Sequence, residues 1–325
     1  MESINWQWLL IIGSSLILFL LSPLAKTTDA FFKAVHKKKA PNTMVLTGSL
    51  IISWIFAKSI TNAANLGLDF GIVGGVAYAG YYLSFTVAGL VIFKMRTVGG
   101  FKSIHHFLTS KFGKGAMAMF SILIAIRLFN EVWSNTMVIG SYFGEIGSSN
   151  YYWAIIVFTI LTLAYAIKGG LSSSIFTDVI QMVLFSILLI VILWQVFSIE
   201  NFSANDVITS GTWSFELGLN LFFAAIIQSF SYPFHDPVLT DRAFISSPKV
   251  TRKSFLWASL LGAAGNKHTT YAPIPFFHTS NQISYQLNAK NNHYWNIDFT
   301  SPDNLKFTLN NLNKTLNNNN LNLNI

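Results

Sequence analysis

Cysteine is absent from this chain, proline occurs only eight times, and charged side chains make up just 10% of its 325 residues. Without cysteine there are no disulfides and no thiolate metal sites. No Walker motif and no GxGxxG stretch is present, so the two common glycine-rich phosphate cradles are excluded. So little charge beside 52% hydrophobic residues and a mean hydropathy of +0.48 falls outside the range of soluble globular domains.

What the chain does have is long apolar runs. Several reach the roughly 20 residues with which an α-helix crosses the hydrocarbon core, whereas a transmembrane barrel shows alternating segments of about 10. The fold class expected is therefore all-α, a polytopic helical membrane protein. The first run, Trp6 to Ala25, lacks a basic leader and a small-residue cleavage site, and reads as a retained helix rather than a signal peptide.

A net charge of +8 invites a nucleic-acid partner, but its distribution argues against one. Five Lys and Arg lie between Lys26 and Lys39, five between Lys94 and Lys114, one at Lys168 and four between Arg242 and Lys253. The intervening polar segments, Met1 to Asn5, Gly67 to Gly71, Ser141 to Asn150 and Ser198 to Glu216, hold none and carry six acidic residues. This is the alternation of the positive-inside rule, under which basic loops stay in the cytoplasm. The reading is an integral, multi-pass protein of a plasma or inner membrane, with the lipid bilayer as its partner, no nucleic acid, and the N-terminus outside. The expected spans are about 6–25, 44–68, 72–93, 115–143, 151–168, 174–197 and 217–234, with an eighth starting near Ser254.

After Gly265 the composition changes. Residues 266–325 hold 16 of the 26 asparagines and no membrane-length apolar run. Such a segment buries too little apolar surface for a packed core and is expected to be disordered. The eighth helix, SFLWASLLGAAG, stops after about 12 residues, too short to span. A frameshift, mispredicted splice or truncated gene explains that stop; a genuine polar tail is the alternative. The organisation expected is a helical membrane domain at 1–265 and an Asn-rich tail at 266–325, disordered or out of frame.

The stretch SLIISWIFAKSITNAANLG, Ser49 to Gly67, places Lys58 in the middle of a span. A lysine at that depth costs a few kcal/mol or more unless it faces protein or water, so it marks a pathway by default. It binds a carboxylate on a solute, occupies the space of a cation, pairs structurally with Glu131, or snorkels to the interface. Arg127 and Glu131 stand four residues apart, the spacing of an intrahelical ion pair. In QSFSYPFHDPVLTDR, Pro233 and Pro237 interrupt helical hydrogen bonding amid Gln228, Ser229, His235 and Asp236. Those polar groups either line a cavity or mark a helix end at the interface. His105 and His106 lie in a basic loop without further ligands for a metal. Trp6, Trp8 and Trp54 suit interfacial or packing roles.

The segment IKGGLSSSIFTDVIQMVLFSILLIV, Ile167 to Val191, resembles the sodium:solute symporter family, whose fifth core helix follows a Gly-Gly-Leu turn and opens with Thr-Asp-x-x-Gln, here Thr177, Asp178 and Gln181. TTDAFFKA, the Ser49–Gly67 stretch and HDPVLTDRAFISSPKV follow in the family's order, so the resemblance covers about residues 1–265. It implies a LeuT-like bundle of two inverted five-helix repeats, each opened by a broken helix, of which this chain would carry the first repeat and the start of the second. Half-helix ends at such a break offer carbonyls to a cation and amides to an anionic group.

The resemblance further implies that the backbone carbonyls of Ile52 and Ile55 help hold a sodium ion. It places Lys58, Ser59 and Asn62 along the unwound, solute-facing part, and Gln228, His235 and Asp236 at the cavity and inner gate. The function implied is sodium-coupled secondary transport of a small solute by alternating access, with no covalent chemistry and hence no enzyme. Relatives carry sugars, amino acids, monocarboxylates, vitamins, urea and iodide; the lysine favours an anionic organic solute. The alternatives are a membrane-embedded solute sensor or regulatory domain, and a nonfunctional fragment unable to transport, because the family's later sodium-binding helix lies beyond this chain. Nothing in the sequence specifies an oligomeric state.

Overall fold

Hydrophobic spans alternate with short polar connections, and the computed structural model turns nearly every one into helix. It describes residues 3–35, 39–198 and 203–269 and four short strands beyond them. The chain divides into two units, residues 1–272 and 273–325.

In the first unit, α1 (Ser3–Leu21) and the short α2 (Thr28–Lys33) precede a helix in two pieces, α3 (Thr43–Ile52) and α4 (Ala57–Phe70). The two pieces are bent by 64°. Then come α5 (Ile72–Gly80), α6 (Leu83–Thr97), α7 (Ile104–Ser141), α8 (Ser149–Phe197) and α9 (Ala204–Ile208). After a π-helical turn, α10 (Asn220–Ser229), α11 (Tyr232–His235) and α12 (Pro237–Arg242) form a second interrupted run, and α13 (Pro248–Thr269) closes the unit. Among the described residues, three helical stretches are long and apolar enough to cross a membrane, α5 with α6 (Ile72–Thr97), α7 and α8, or four if α3 and α4 count as one span.

The 49 residues of α8 would extend about 74 Å as one rod, more than twice the hydrocarbon thickness. Gly170, at φ 54°, breaks it into two stretches near bilayer length, matching the spans expected at 151–168 and 174–197. A Cβ there would also meet the Phe31 carbonyl oxygen at 2.5 Å, so glycine serves both the turn and the close approach of α2.

Polar side chains start the helices. Asn42 accepts the Val45 N–H at 3.0 Å, Ser103 that of His106 and Ser148 that of Tyr151, each satisfying an otherwise orphaned amide. The core is built where α3, α6, α12 and α13 meet, with Leu46, Leu50, Phe85, Ile92, Leu239 and Phe255 all fully buried. Long apolar side chains on α1, α7 and α8 face outward instead, as suits surfaces bathed in lipid.

The final helix differs from the expectation. It starts at Pro248, ahead of Ser254, because Ser247 caps it by accepting the Val250 N–H at 3.4 Å and proline suits a first turn. Its backbone also stays helical through Thr269, beyond the 12 residues read as an interrupted span, because no proline or left-handed glycine stops it at Gly265. Of the stretch at 266–325 expected to be disordered, most lies outside the described residues. Within it β1 (Phe276–His278) pairs antiparallel with β2 (Ser284–Gln286), and β3 (His293–Asp298) with β4 (Lys306–Asn311).

A candidate solute cavity between two broken helices

The break between α3 and α4 contains neither proline nor glycine. Up to Ser53 the ladder holds: its amide and its hydroxyl both donate to the Ser49 carbonyl, at 3.1 and 2.6 Å. Trp54 and Ile55 then donate to the carbonyls of Ile51 and Ile52, both at 3.0 Å, as a tight i→i+3 turn. Phe56, extended at φ −91°, ψ 164°, starts α4 in a new direction. The Ile52 carbonyl thus keeps one lone pair, and the Ile55 carbonyl accepts no backbone hydrogen bond among the described residues.

The second interruption follows from proline. Asp236 precedes Pro237 and is held extended at ψ 118°. Its Oδ1 accepts the Leu239 N–H at 2.9 Å and caps α12. The two breaks face each other through aromatic rings, with Trp54 and Tyr232 centred 5.1 Å apart.

Between them lies a cavity of about 1300 Å³. Of the residues expected at the site, Ile52, Ile55, Lys58, Ser59, Asn62 and Asp236 all line it. Gln228 does not: it lies on the exposed outer side of α10, because the helix turns the buried Ser229 and Ala225 inward instead. His235 is also not a lining residue, but supports one: its Nδ1 lies 2.6 Å from Arg127 Nη1, and its Nε2 2.9 Å from the Ser231 hydroxyl.

Three ion pairs share this cavity. Arg127 reaches Asp236 at 3.0 Å, with the carboxylate side chain only 7% exposed. Arg242 reaches Asp178 at 2.9 Å, their side chains 8% and 11% exposed. Ser49 stitches that second pair to α3, donating to Asp178 at 2.6 Å and accepting from Arg242 Nε at 2.7 Å. The third pair, Lys58 and Glu131, is wider at 3.7 Å and more open, at 33% and 36%. The expected intrahelical pair of Arg127 with Glu131 is therefore not formed, since each finds its opposite charge across the cavity on another helix.

At the other end of α12, Asp241 lines the cavity beside Arg242. Burial pushes its carboxyl above the ordinary carboxylate range, opposed by Arg242 and His105. A smaller pocket of about 580 Å³ adjoins the cavity, bounded by Phe31, Phe32 and Gly170. Ala166, Ser174, Asp241 and Arg242 line both spaces, and Asp178, the partner of Arg242, lines the larger. Among the described residues no cluster of three or more His, Asp and Glu could hold a metal ion.

Sequence reasoning singles out Lys58 and Asp236 but gives Trp54 an interfacial or packing role and Arg127 an intrahelical pair with Glu131. Both line the cavity. The signal that could have found Arg127 is a second intramembrane charge facing a proline-interrupted helix.

A family model described as "Sodium:solute symporter family" matches residues 38–270. No curated protein matches the chain. Among solved structures, the chain is similar to a Na+-coupled sialic acid symporter captured in a substrate-bound, outward-open state, at 17% identity and a TM-score of 0.61. The match covers 83% of this chain and 61% of that one, so the chain spans less than two thirds of its solved relative. At this identity the likeness establishes the fold, a LeuT-like helical bundle.

Proposed function

The chain belongs to the sodium:solute symporter family, and on that premise we propose that it serves sodium-coupled movement of a small solute across a membrane by alternating access. The observation that carries this reading is the pairing of two interrupted helices around one cavity of about 1300 Å³. Irregular backbone at membrane depth persists only where it lines such a space. The lone pairs left at Ile52 and Ile55 suit sodium, a cation that takes oxygen ligands. The arrangement requires no bond making or breaking.

Lys58, Ser59, Asn62 and Asp236 supply polar contacts to the solute. His235 holds Arg127 against Asp236 and so acts through another side chain. The basic loops at Lys26–Lys39, Lys94–Lys114 and Arg242–Lys253 support a reading with these connections in the cytoplasm and the N-terminus outside.

The test is cation-specific binding. The purified chain in nanodiscs is titrated with sodium chloride against choline chloride at constant ionic strength, reading intrinsic tryptophan fluorescence with and without candidate solutes. Saturable sodium dependence, with sodium and solute each tightening the other's binding, is the expected result, since coupling is reciprocal. Identical responses to sodium and choline across a solute panel would sink the proposal.

A further inference from the structure

The three ion pairs of the cavity differ in how much of their bonding capacity is already used. Asp178 receives Ser49 at 2.6 Å and Arg242 at 2.9 Å, and its side chain is only 11% exposed. Asp236 is taken by Arg127 on one oxygen and by the Leu239 amide on the other. Lys58 and Glu131 contrast with both. The ammonium donates to one partner, the Ser134 hydroxyl at 3.1 Å, from three available N–H groups. The Glu131 carboxylate receives a long 3.4 Å bond from Asn135 and the ammonium at 3.7 Å, although a carboxylate accepts about four hydrogen bonds.

This third pair therefore presents spare donors on its positive side and spare acceptors on its negative side, both facing the cavity. Neighbouring groups hold that geometry. The Asn135 amide donates to the Glu131 carbonyl at 2.9 Å, and its oxygen accepts the Lys58 backbone N–H at 3.2 Å, so the segments bearing the two charges are tied together. Tyr78 and Tyr81 stand on the same wall, rings 6.0 Å apart, and offer π faces to a cationic group.

Charge balance then selects the solute. Lys58, Arg127 and Arg242 face Glu131, Asp178, Asp236 and Asp241, so no positive surplus awaits an anion. An anion bound to Lys58 would draw it from Glu131 and leave that half-buried carboxylate without its counter-charge, and a cation bound to Glu131 would leave Lys58 so. A molecule carrying both charges leaves neither. We propose, resting on the transport reading, that the solute is a small zwitterion: its carboxylate takes the free N–H groups of Lys58, and its ammonium takes Glu131 and the tyrosine wall. The lysine's bias toward an anionic solute, which sequence alone suggests, is cancelled by the glutamate beside it.

The experiment uses the chain in nanodiscs with four probes of similar size: L-alanine, glycine betaine, propionate and propylamine, with glucose as an uncharged fifth. Binding is read by isothermal titration calorimetry, and sodium binding is measured separately. The expected result is saturable binding of L-alanine or glycine betaine at least about tenfold tighter than propionate or propylamine, a gap of ~1.4 kcal/mol. Which of the two binds tells a primary ammonium, hydrogen-bonded to Glu131, from a quaternary one held by the tyrosines. Lys58→Met and Glu131→Gln should each abolish that preference, and the exchange Lys58→Glu/Glu131→Lys should restore part of it. Tighter binding of propionate, propylamine or glucose overturns the zwitterion while sodium dependence keeps the transport reading intact. Binding of none of the five overturns it too, and loss of sodium dependence as well removes both.

Discussion

Arg127 and Glu131 stand one turn apart on α7, yet they serve different partners: Arg127 reaches Asp236 at 3.0 Å and Glu131 reaches Lys58 at 3.7 Å. Helix α7 thus carries two opposite charges along one face of the cavity, each binding a different broken helix. That makes α7 a strut between the two interruptions. Its energetic weight is concentrated in the tighter pair.

Removing Arg127 leaves Asp236 buried without its counter-charge. Arg127→Gln is expected to destabilise the helical unit by about 2 to 3 kcal/mol, below the full cost of breaking a buried pair because the guanidinium retains 27% exposure. Asp236→Asn in the same chain should recover part of that loss, because an asparagine still caps α12 while no longer stranding a charge. Thermal unfolding followed by tryptophan fluorescence checks both; a double variant no more stable than Arg127→Gln alone contradicts the pairing.

How much of this was legible beforehand follows from where the physics is local. Membrane spans are set by apolar length, so the expected segments at 72–93, 115–143, 151–168 and 174–197 fall on long apolar helix, those at 44–68 and 217–234 on interrupted helices and that at 6–25 on a shorter one, and the kink at Gly170 lies at the Gly-Gly-Leu turn. The proline-interrupted run before Asp241 was equally visible. The break after Ile52 was not readable from its own residues. Ser-Trp-Ile-Phe contains no helix breaker, and only the family resemblance located it. Gln228 was misplaced because the phase of α10 is decided by which side packs against α5 and α6. Arg127 and Glu131 have ideal intrahelical spacing, but Arg127 finds the nearly buried Asp236 and Glu131 finds Lys58, both on segments far away in sequence.

Close packing of α6 on α13 yields a second expectation. A Cβ at Gly89 would lie 2.8 Å from the Cβ of Phe255, so Gly89→Ala forces the helices apart at a cost of about 1 to 3 kcal/mol. Phe255→Ala should not relieve it, since alanine retains the clashing carbon, and adds its own cavity. Gly115→Ala, with open space around the new methyl, should be neutral or stabilise by about 0.5 kcal/mol. Comparative melting of the three variants checks the order.

Arg96 holds the connection between α12 and α13. Its guanidinium donates to the carbonyls of Ala243 and Ser246, both at 2.6 Å, and to the Thr251 hydroxyl at 3.1 Å. A lysine lacks the planar fork needed to serve all three. Arg96→Lys should therefore raise amide hydrogen exchange across 243–251 while leaving exchange in α7 and α8 unchanged. Equal protection in both proteins would show that the loop is held by other contacts.

The absence of cysteine makes the partition between the two cavities directly measurable. Ser174 lines both the large cavity and the smaller pocket near Phe31, and its hydroxyl lies 3.4 Å from Arg242 Nη2. In a chain without other thiols, Ser174→Cys becomes the sole site for a charged, membrane-impermeant thiol reagent. With Arg242 and Asp178 paired, the wall around this position is closed by two nearly buried charges and Ser49. Asp178→Asn removes the carboxylate and leaves Arg242 seeking water, which favours the open arrangement. Labelling in the double variant should then be about tenfold faster, an opening shifted by ~1.4 kcal/mol. Arg242→Lys should fall between, because it keeps the charge but cannot reach Ser49 and Asp178 together. If both backgrounds label at the rate of Ser174→Cys alone, the pair does not separate the two spaces, and the route between them is controlled elsewhere.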